Sequence, residues 1–361
     1  MVYRILSLLL FGLLIAAPET ARAAELFTVR PVPVDATADS ASRAREQALA
    51  QGQRQAFRRL LESMTARADH SRLPNPPKLD EVIADFSVEQ EKSSSVRYIA
   101  SLVVRFKADS VRNLLRQAGL AFAETASKPI LVLPILWIGD DPLLWEERNV
   151  WFKVWAERPT QFSLSPVQLP LGDAADLAAI NGHKAASIEL DRLEAMKRRY
   201  GVGDVLLAEI AATPGSAAPS YELRLTRLSN PASLEALTVA GPAGETPPAT
   251  LRRAVEVSVA SVEEAWKRDN LIASAERTGS LAVLVPFSGI EEWTKLRERL
   301  GRIPLIRRHE VVALGRSGAQ ILLHHAGERG QLINALAQND LTLASNESGW
   351  VLTPARRSGG R

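Results

Sequence analysis

The chain has 361 residues, 24% of them charged, a formal net charge of +3 and no cysteine. Without cysteine it forms no disulfide, no thiolate nucleophile and no cysteine-ligated zinc site, so its cores must stand unaided. The length exceeds one hydrophobic core and suits two or three domains. Once the two ends are set aside, basic and acidic residues nearly cancel, which excludes the electrostatic footprint of a nucleic-acid binder.

The first residues have the parts of a secretory leader. Arg4 supplies the positive start, Ile5 to Ala17 the apolar run, and Pro18 its end. Ala21-Arg22-Ala23 then offers small residues for cleavage between Ala23 and Ala24. The apolar run is too short to span a bilayer, which takes ~20 residues. The expectation is export to the periplasm with loss of residues 1–23, leaving no transmembrane anchor. With no cysteine after the cut, a lipoprotein is excluded.

Residues 24–122 read as a β-α-β-β-α module. Leu26 to Val29 is a short strand, and Pro31 and Pro33 carry the chain to a long amphipathic helix within Asp39 to Thr65. Its buried stripe grades from Ala44, Ala48 and Gly52 to Phe57, Leu60, Leu61 and Met64, so a sheet can approach its start closely. A proline-rich break at 74–78 precedes a hairpin with arms Phe86 to Glu91 and Val96 to Lys107, the second alternating apolar and polar residues. A second helix around Val111, Leu114 and Leu115 ends at Gly119.

The small residues of Ala121 to Ser127 read as a linker into a middle α/β domain, residues 123–275. Pro129 to Ile138 is an unbroken apolar strand covered on both faces. A short helix is expected over Asn149 to Glu157, acids Asp173 and Asp176 at a helix start, and a helix from Ala185 to Tyr200 ended by Gly201. Strands follow at Val205 to Ala211, Tyr221 to Leu228 and Leu234 to Ala240, then a long helix from Ala249 to Lys267. Residues 276–354 repeat strand, helix, two strands, helix and strand, the order of a ferredoxin-like domain, with Trp350 to Leu352 expected as an added edge strand. Residues 355–361 read as a disordered basic tail. The fold class is therefore α+β or mixed α/β in three small modules.

The segment Val29 through Leu61, with RYGVGDVLLAEI at 199–210, the helix ending Glu263-Glu264-Ala265-Trp266-Lys267, and LAVLVPFSGIEEWTKLRERL at 281–300, resembles an exported proteobacterial family catalogued as domain of unknown function 2066. The resemblance implies an exported multidomain α/β protein with no assigned activity. In layout alone, the first module resembles the small N-terminal modules of flagellar outer-ring accessory proteins. The middle one resembles the N-terminal domains of periplasmic assembly factors such as TolB.

Motifs that carry chemistry are sparse. None of His70, His183, His309, His324 and His325 sits in a zinc-peptidase pattern. Gly315-Arg316-Ser317-Gly318 lies between two strands and reads as a turn, not a nucleophile elbow. Gly201-Val202-Gly203 precedes a strand and is no dinucleotide fingerprint. No catalytic residue, metal site or cofactor is implied.

Two features remain as candidate binding residues. Asp140 and Asp141 follow the buried strand, where paired carboxylates could bind a cation or act as acid and base; Gly-Asp-Asp-Pro is equally ordinary turn chemistry. Trp145, Trp151 and Trp155 cluster with Trp137 and Phe152, as sugar-stacking or partner-anchoring groups or as core. The leading expectation is a non-enzymatic envelope accessory or assembly factor docking a protein partner. The alternatives are an envelope hydrolase using Asp140 or Asp141 beside the tryptophans, and a glycan- or peptidoglycan-binding module.

Overall fold

A computed structural model describes residues 26–75, 78–159, 162–273, 278–347 and 349–355, with side chains omitted at 232–234. The leader, the cleavage residues Ala23 and Ala24, and the tail from Arg356 lie outside the described residues. Among the described residues no helix is long and apolar enough to cross a membrane. The architecture is mixed α+β in three sheets, each with its own helices.

In the first module β1 (Thr28–Thr37), β2 (Ile83–Ser93) and β3 (Arg97–Phe106) form an antiparallel sheet in the order β1-β3-β2. Its inner face packs on α1 (Ala41–Met64), and α2 (Ala108–Gln117) follows β3. The strand β1 runs straight through Pro31 and Pro33, which the sequence reading places in a connection. It is an edge strand, where a missing N–H is tolerated, and a bulge between Val29 and Val32 takes up Pro31.

Helix α1 starts at Ser40, whose hydroxyl accepts from the Arg43 N–H at 3.3 Å. Its buried residues are Ala44, Ala48, Gly52, Ala56, Phe57, Leu60, Leu61 and Met64, the graded stripe legible in the sequence. A Cβ at Gly52 would lie 2.5 Å from Val34 Cγ1 and 2.6 Å from Leu102 Cδ1, so the sheet closes onto the helix at that point. Gly52→Leu should cost about 1–3 kcal/mol by overpacking, read in a denaturant melt. An unchanged midpoint would mean that helix and sheet are looser than described.

The middle sheet runs β5-β4-β7-β8-β9, from β4 (Ile130–Ile138), β5 (Asp141–Leu143), β7 (Asp204–Ala212), β8 (Ser220–Arg227) and β9 (Asn230–Ala240), with β6 (Val167–Gln168) also beside β4. Strand β4 is covered on both faces, as its unbroken apolar run requires. Ile130, Val132 and Leu136 face a core shared with α3 (Val150–Ala156) and α7 (Pro247–Asn270). Leu131, Leu133 and Ile135 face α5 (Gly182–Ala186) and α6 (Leu190–Tyr200).

The single helix expected from Ala185 to Tyr200 is two, broken where Ile188 takes φ +54°. A left-handed β-branched residue is strained and cannot continue a helix. Asp173 caps α4 (Ala174–Ala179) by accepting from the N–H groups of Ala175 and Asp176.

The third sheet runs β11-β12-β10-β14-β13, from β10 (Thr278–Pro286), β11 (Ile306–Leu314), β12 (Gly318–Ala326), β13 (Leu341–Asn346) and β14 (Gly349–Pro354). One face is covered by α8 (Ile290–Gly301) and α9 (Arg329–Gln338). The arrangement is ferredoxin-like with one change: β14 is not an added edge but lies between β10, with which it is parallel, and β13. Trp350 and Val351 take ladder positions opposite Val283 and Leu284, displacing β13 to the rim.

The stretch from Ala121 to Ser127, read from its small residues as a linker, does join the first two modules but is mostly buried. Phe122, Ala123, Glu124, Thr125 and Ser127 are buried, because all three modules close around them. Phe122 exchanges backbone hydrogen bonds with Ile272, and the Ala123 N–H donates to Met64 O at 2.7 Å. Trp266 of α7 donates its indole N–H to Thr125 O at 2.6 Å, and Lys267 donates to Thr65 O at 2.8 Å. On the other side the Lys128 N–H donates to Gln338 of α9 at 2.7 Å.

Glu124 is the centre of this junction. Its two oxygens accept from Arg112 Nε at 2.7 Å and Nη2 at 2.9 Å, and Arg307 of β11 approaches to 3.5 Å. Desolvation would lower the Arg112 pKa, but the hydrogen bonds and charge of Glu124 outweigh it and hold it above the usual range.

Candidate functional site

The predicted binding residues do not assemble into one site. Trp151 and Trp155 lie in the middle core, at 0% and 3% exposure, stacked edge to face at 5.7 Å. The Trp151 indole N–H donates to Ala208 O at 2.9 Å. Trp145 is half-buried against the opposite core, its N–H donating to Ile180 O at 2.7 Å. The expectation that Trp151 and Trp155 bind a ligand is therefore corrected: an indole with no exposed face cannot stack on a sugar or a partner, and burying so large an apolar surface is what the fold gains from them.

Asp140 sits in the exposed turn after Gly139, whose φ of +60° closes the β4–β5 hairpin. Asp141 begins β5 and is half-exposed, paired with Arg148 at 2.8 Å and near His183 at 3.5 Å. The two carboxylates thus serve a hairpin turn and a surface ion pair, and neither lines the cavities described below. Among the described residues, no group of three or more His, Asp and Glu side chains is placed to hold a metal ion.

Trp137, the remaining tryptophan of the cluster, lines a cleft of about 230 Å³. Its indole N–H donates to Glu209 at 3.0 Å. Burial pushes the Glu209 carboxyl above the ordinary carboxylate range, and Trp137 and the Arg224 charge only partly offset this. A raised native pKa means that the burial cost is absent while the group is protonated in both states. Stability is then lost as pH rises through the native value. Glu209→Gln keeps an acceptor for Trp137 and removes the charge. It should match the wild type in a thermal melt near about pH 4 and melt higher at neutral pH; equal melts at both would contradict the shift.

The cavity with the most usable chemistry lies along one edge of α7. It has a volume of about 370 Å³, within the range of roughly 300–1,000 Å³ typical of ligand pockets. Residues 252, 256, 259 and 263 recur at three-to-four spacing beside the buried stripe of α7, so they share one edge of the helix.

Opposite stands the end of α3. At the helix's other end the N-cap residue Asn149 fixes α3 beside the β4–β5 hairpin, its side-chain NH2 shared among Pro134 O, Leu143 O and Leu144 O, each at 3.0 Å. The third wall is the segment leading into β6, held where Leu164 O accepts from the Ser127 N–H at 2.7 Å and Pro166 O from the Ile130 N–H at 2.9 Å. Val154, Val255, Val259, Pro166 and Val167 make the apolar lining.

Half of its lining residues are polar or charged. Ser165 is 1% exposed and its Oγ makes no hydrogen bond. Arg158 is half-buried and, among the described residues, forms no ion pair; burial lowers its pKa, and Glu263 opposes this through space. Glu263 is pushed above the ordinary carboxylate range by burial, against the pull of Ser163, Lys267 and Arg158. Arg252, Glu256 and Glu157 stand at the exposed mouth. Sequence reasoning missed this site because its residues run from Val154 to Glu263, and its charged members read as an ordinary solvated helix face.

A second cavity of about 390 Å³ lies on the far side of Glu263, between α1 and α7. Two of its cations, Lys267 and Arg59, are already engaged. Lys267 pairs with Glu264 at 3.0 Å and donates to Glu62 O and Thr65 O, and Arg59 donates to Pro31 O at 3.2 Å. This space is a polar seam between two modules.

A family model described as Domain of unknown function (DUF8605) matches residues 30–124. The match takes in nearly all of the first module and ends on Glu124, so the buried Arg112–Glu124 pair falls within it. The cavity on α7 lies outside it. No curated protein and no solved structure matches the chain.

Proposed function

We propose that the chain is a non-enzymatic accessory protein of the cell envelope, working in the periplasm after loss of its leader, and that it binds its partner in the cavity on α7. The observation that carries this reading is the state of the lining. Among the described residues, a half-buried guanidinium without an ion pair, that of Arg158, stands beside an apolar floor. Such groups cost free energy unless something supplies the missing contacts. They suit recognition better than turnover, because no base holds the Ser165 proton.

The closed junction around Glu124 supports the reading from another side. A pocket whose walls are tied to a rigid framework loses little entropy when it fills.

Val259→Trp would fill the cavity, and Arg252→Glu would alter its mouth without touching a core. The wild-type chain recovered gently from the envelope is expected to carry a bound species in native mass spectrometry. That species should be lost from Val259→Trp and reduced in Arg252→Glu, both melting like the wild type. The same species retained on both variants would place binding elsewhere and end the reading.

A further inference from the structure

The geometry points to a zwitterionic apolar ligand in the α7 cavity, an apolar amino acid or a short apolar peptide with both termini free, its carboxylate on Arg158 and its ammonium on Glu263. This inference rests on the reading of the cavity as the binding site, and names what fills it.

Arg158 and Glu263 both line the cavity, yet no ion pair within 4 Å joins them. Opposite charges that share a partly dry space normally close on one another, since attraction strengthens as water is removed. Here both line one cavity unjoined, Glu263 holding a hydrogen bond from Ser163 instead. A ligand carrying both signs in the complementary order restores both pairs at once. A ligand of one sign satisfies one group and leaves the other opposed.

The charge balance agrees. The half-buried groups are one cation and one carboxylate, so a ligand with no net charge adds none to the cavity. Arg252, Glu157 and Glu256 at the mouth are exposed and screened by solvent. Lys267, one turn along α7 from Glu263, is committed to Glu264 and to two backbone carbonyls, so it does not compete for the ligand.

The rest of the lining fits the same ligand. Val154, Val255, Val259 and Pro166 give apolar side chains a surface. A volume of about 370 Å³ has room for a single amino acid or a dipeptide.

The test is calorimetric titration of the mature full-length chain with leucine, leucylleucine, leucylleucine amide and N-acetyl-leucylleucine. Free leucylleucine or leucine should bind one per chain, and whichever is tighter identifies peptide or amino acid as the source. Removing either ligand charge should weaken binding roughly tenfold, the loss expected for one charged hydrogen bond.

Arg158→Gln should abolish the advantage of the free carboxylate over the amide, while leaving the advantage of the free amine. Glu263→Gln should do the reverse. A merely structural effect would weaken all four ligands alike, and that result overturns the inference. Equal binding of the free, amidated and acetylated forms, lost in Val259→Trp, also overturns it but leaves the cavity as the binding site. Binding of none overturns it too, and the species recovered from the envelope then judges the cavity separately.

Discussion

Glu124→Ala should destabilise the chain by about 3 kcal/mol, the cost of leaving the mostly buried Arg112 with only the exposed Asp109, at 2.8 Å, as its carboxylate partner. Glu124 is fully buried and holds Arg112 through two hydrogen bonds of 2.7 and 2.9 Å. Arg112 also lies over the Phe27 ring at 5.2 Å, which helps to hold it in place. The loss should exceed that of the double variant Glu124→Ala with Arg112→Ala, because removing both partners leaves no stranded guanidinium. Chemical denaturation of the four proteins measures this coupling. If the loss of the double variant equalled the sum of the two single losses, the pair would contribute nothing as a pair.

The second large effect concerns Trp151. Trp151→Ala removes a fully buried indole and the donor to Ala208 O, and should cost about 3–5 kcal/mol. Trp151→Phe should cost less, since most of the volume remains, though Ala208 O loses its indole partner. Ligand affinity measured on whatever fraction stays folded should be unchanged for Trp151→Phe. A variant that melts normally yet binds weakly would return the tryptophans to the role the sequence first suggested for them.

How much of this was legible beforehand depended on how local each signal was. The graded stripe of α1 is written in the spacing of Ala44 through Met64, and the double coverage of β4 in its unbroken apolar run. Both follow from periodicity along one element, which a single sequence displays. Small residues at 121–127 suggested a linker for the same local reason. Their burial depends on α1, α7 and α9 arriving from elsewhere, and no pattern within the segment announces it. The break at Ile188 opposes its own β-branched preference, so local rules mislead there.

The site was hidden in another way. Asp140 and Asp141 are adjacent in sequence and drew attention, yet they form a hairpin turn. Arg158, Ser165 and Glu263 are scattered and ordinary in isolation. Only their meeting beside α7, with the hydroxyl unpartnered and the two charges unjoined, makes them a candidate site. Tryptophan clustering in the sequence marked a real feature of the middle module, its core.

The claim on which the account turns is that the α7 cavity holds a ligand and returns it unchanged. The most direct measurement is mass analysis of the species recovered from the wild-type chain, before and after prolonged incubation with fresh protein at neutral pH. The account predicts one species per chain, of identical mass at both times, displaced by Val259→Trp. A product of altered mass, formed by the wild type and not by Glu263→Gln, would contradict it and make this protein an enzyme.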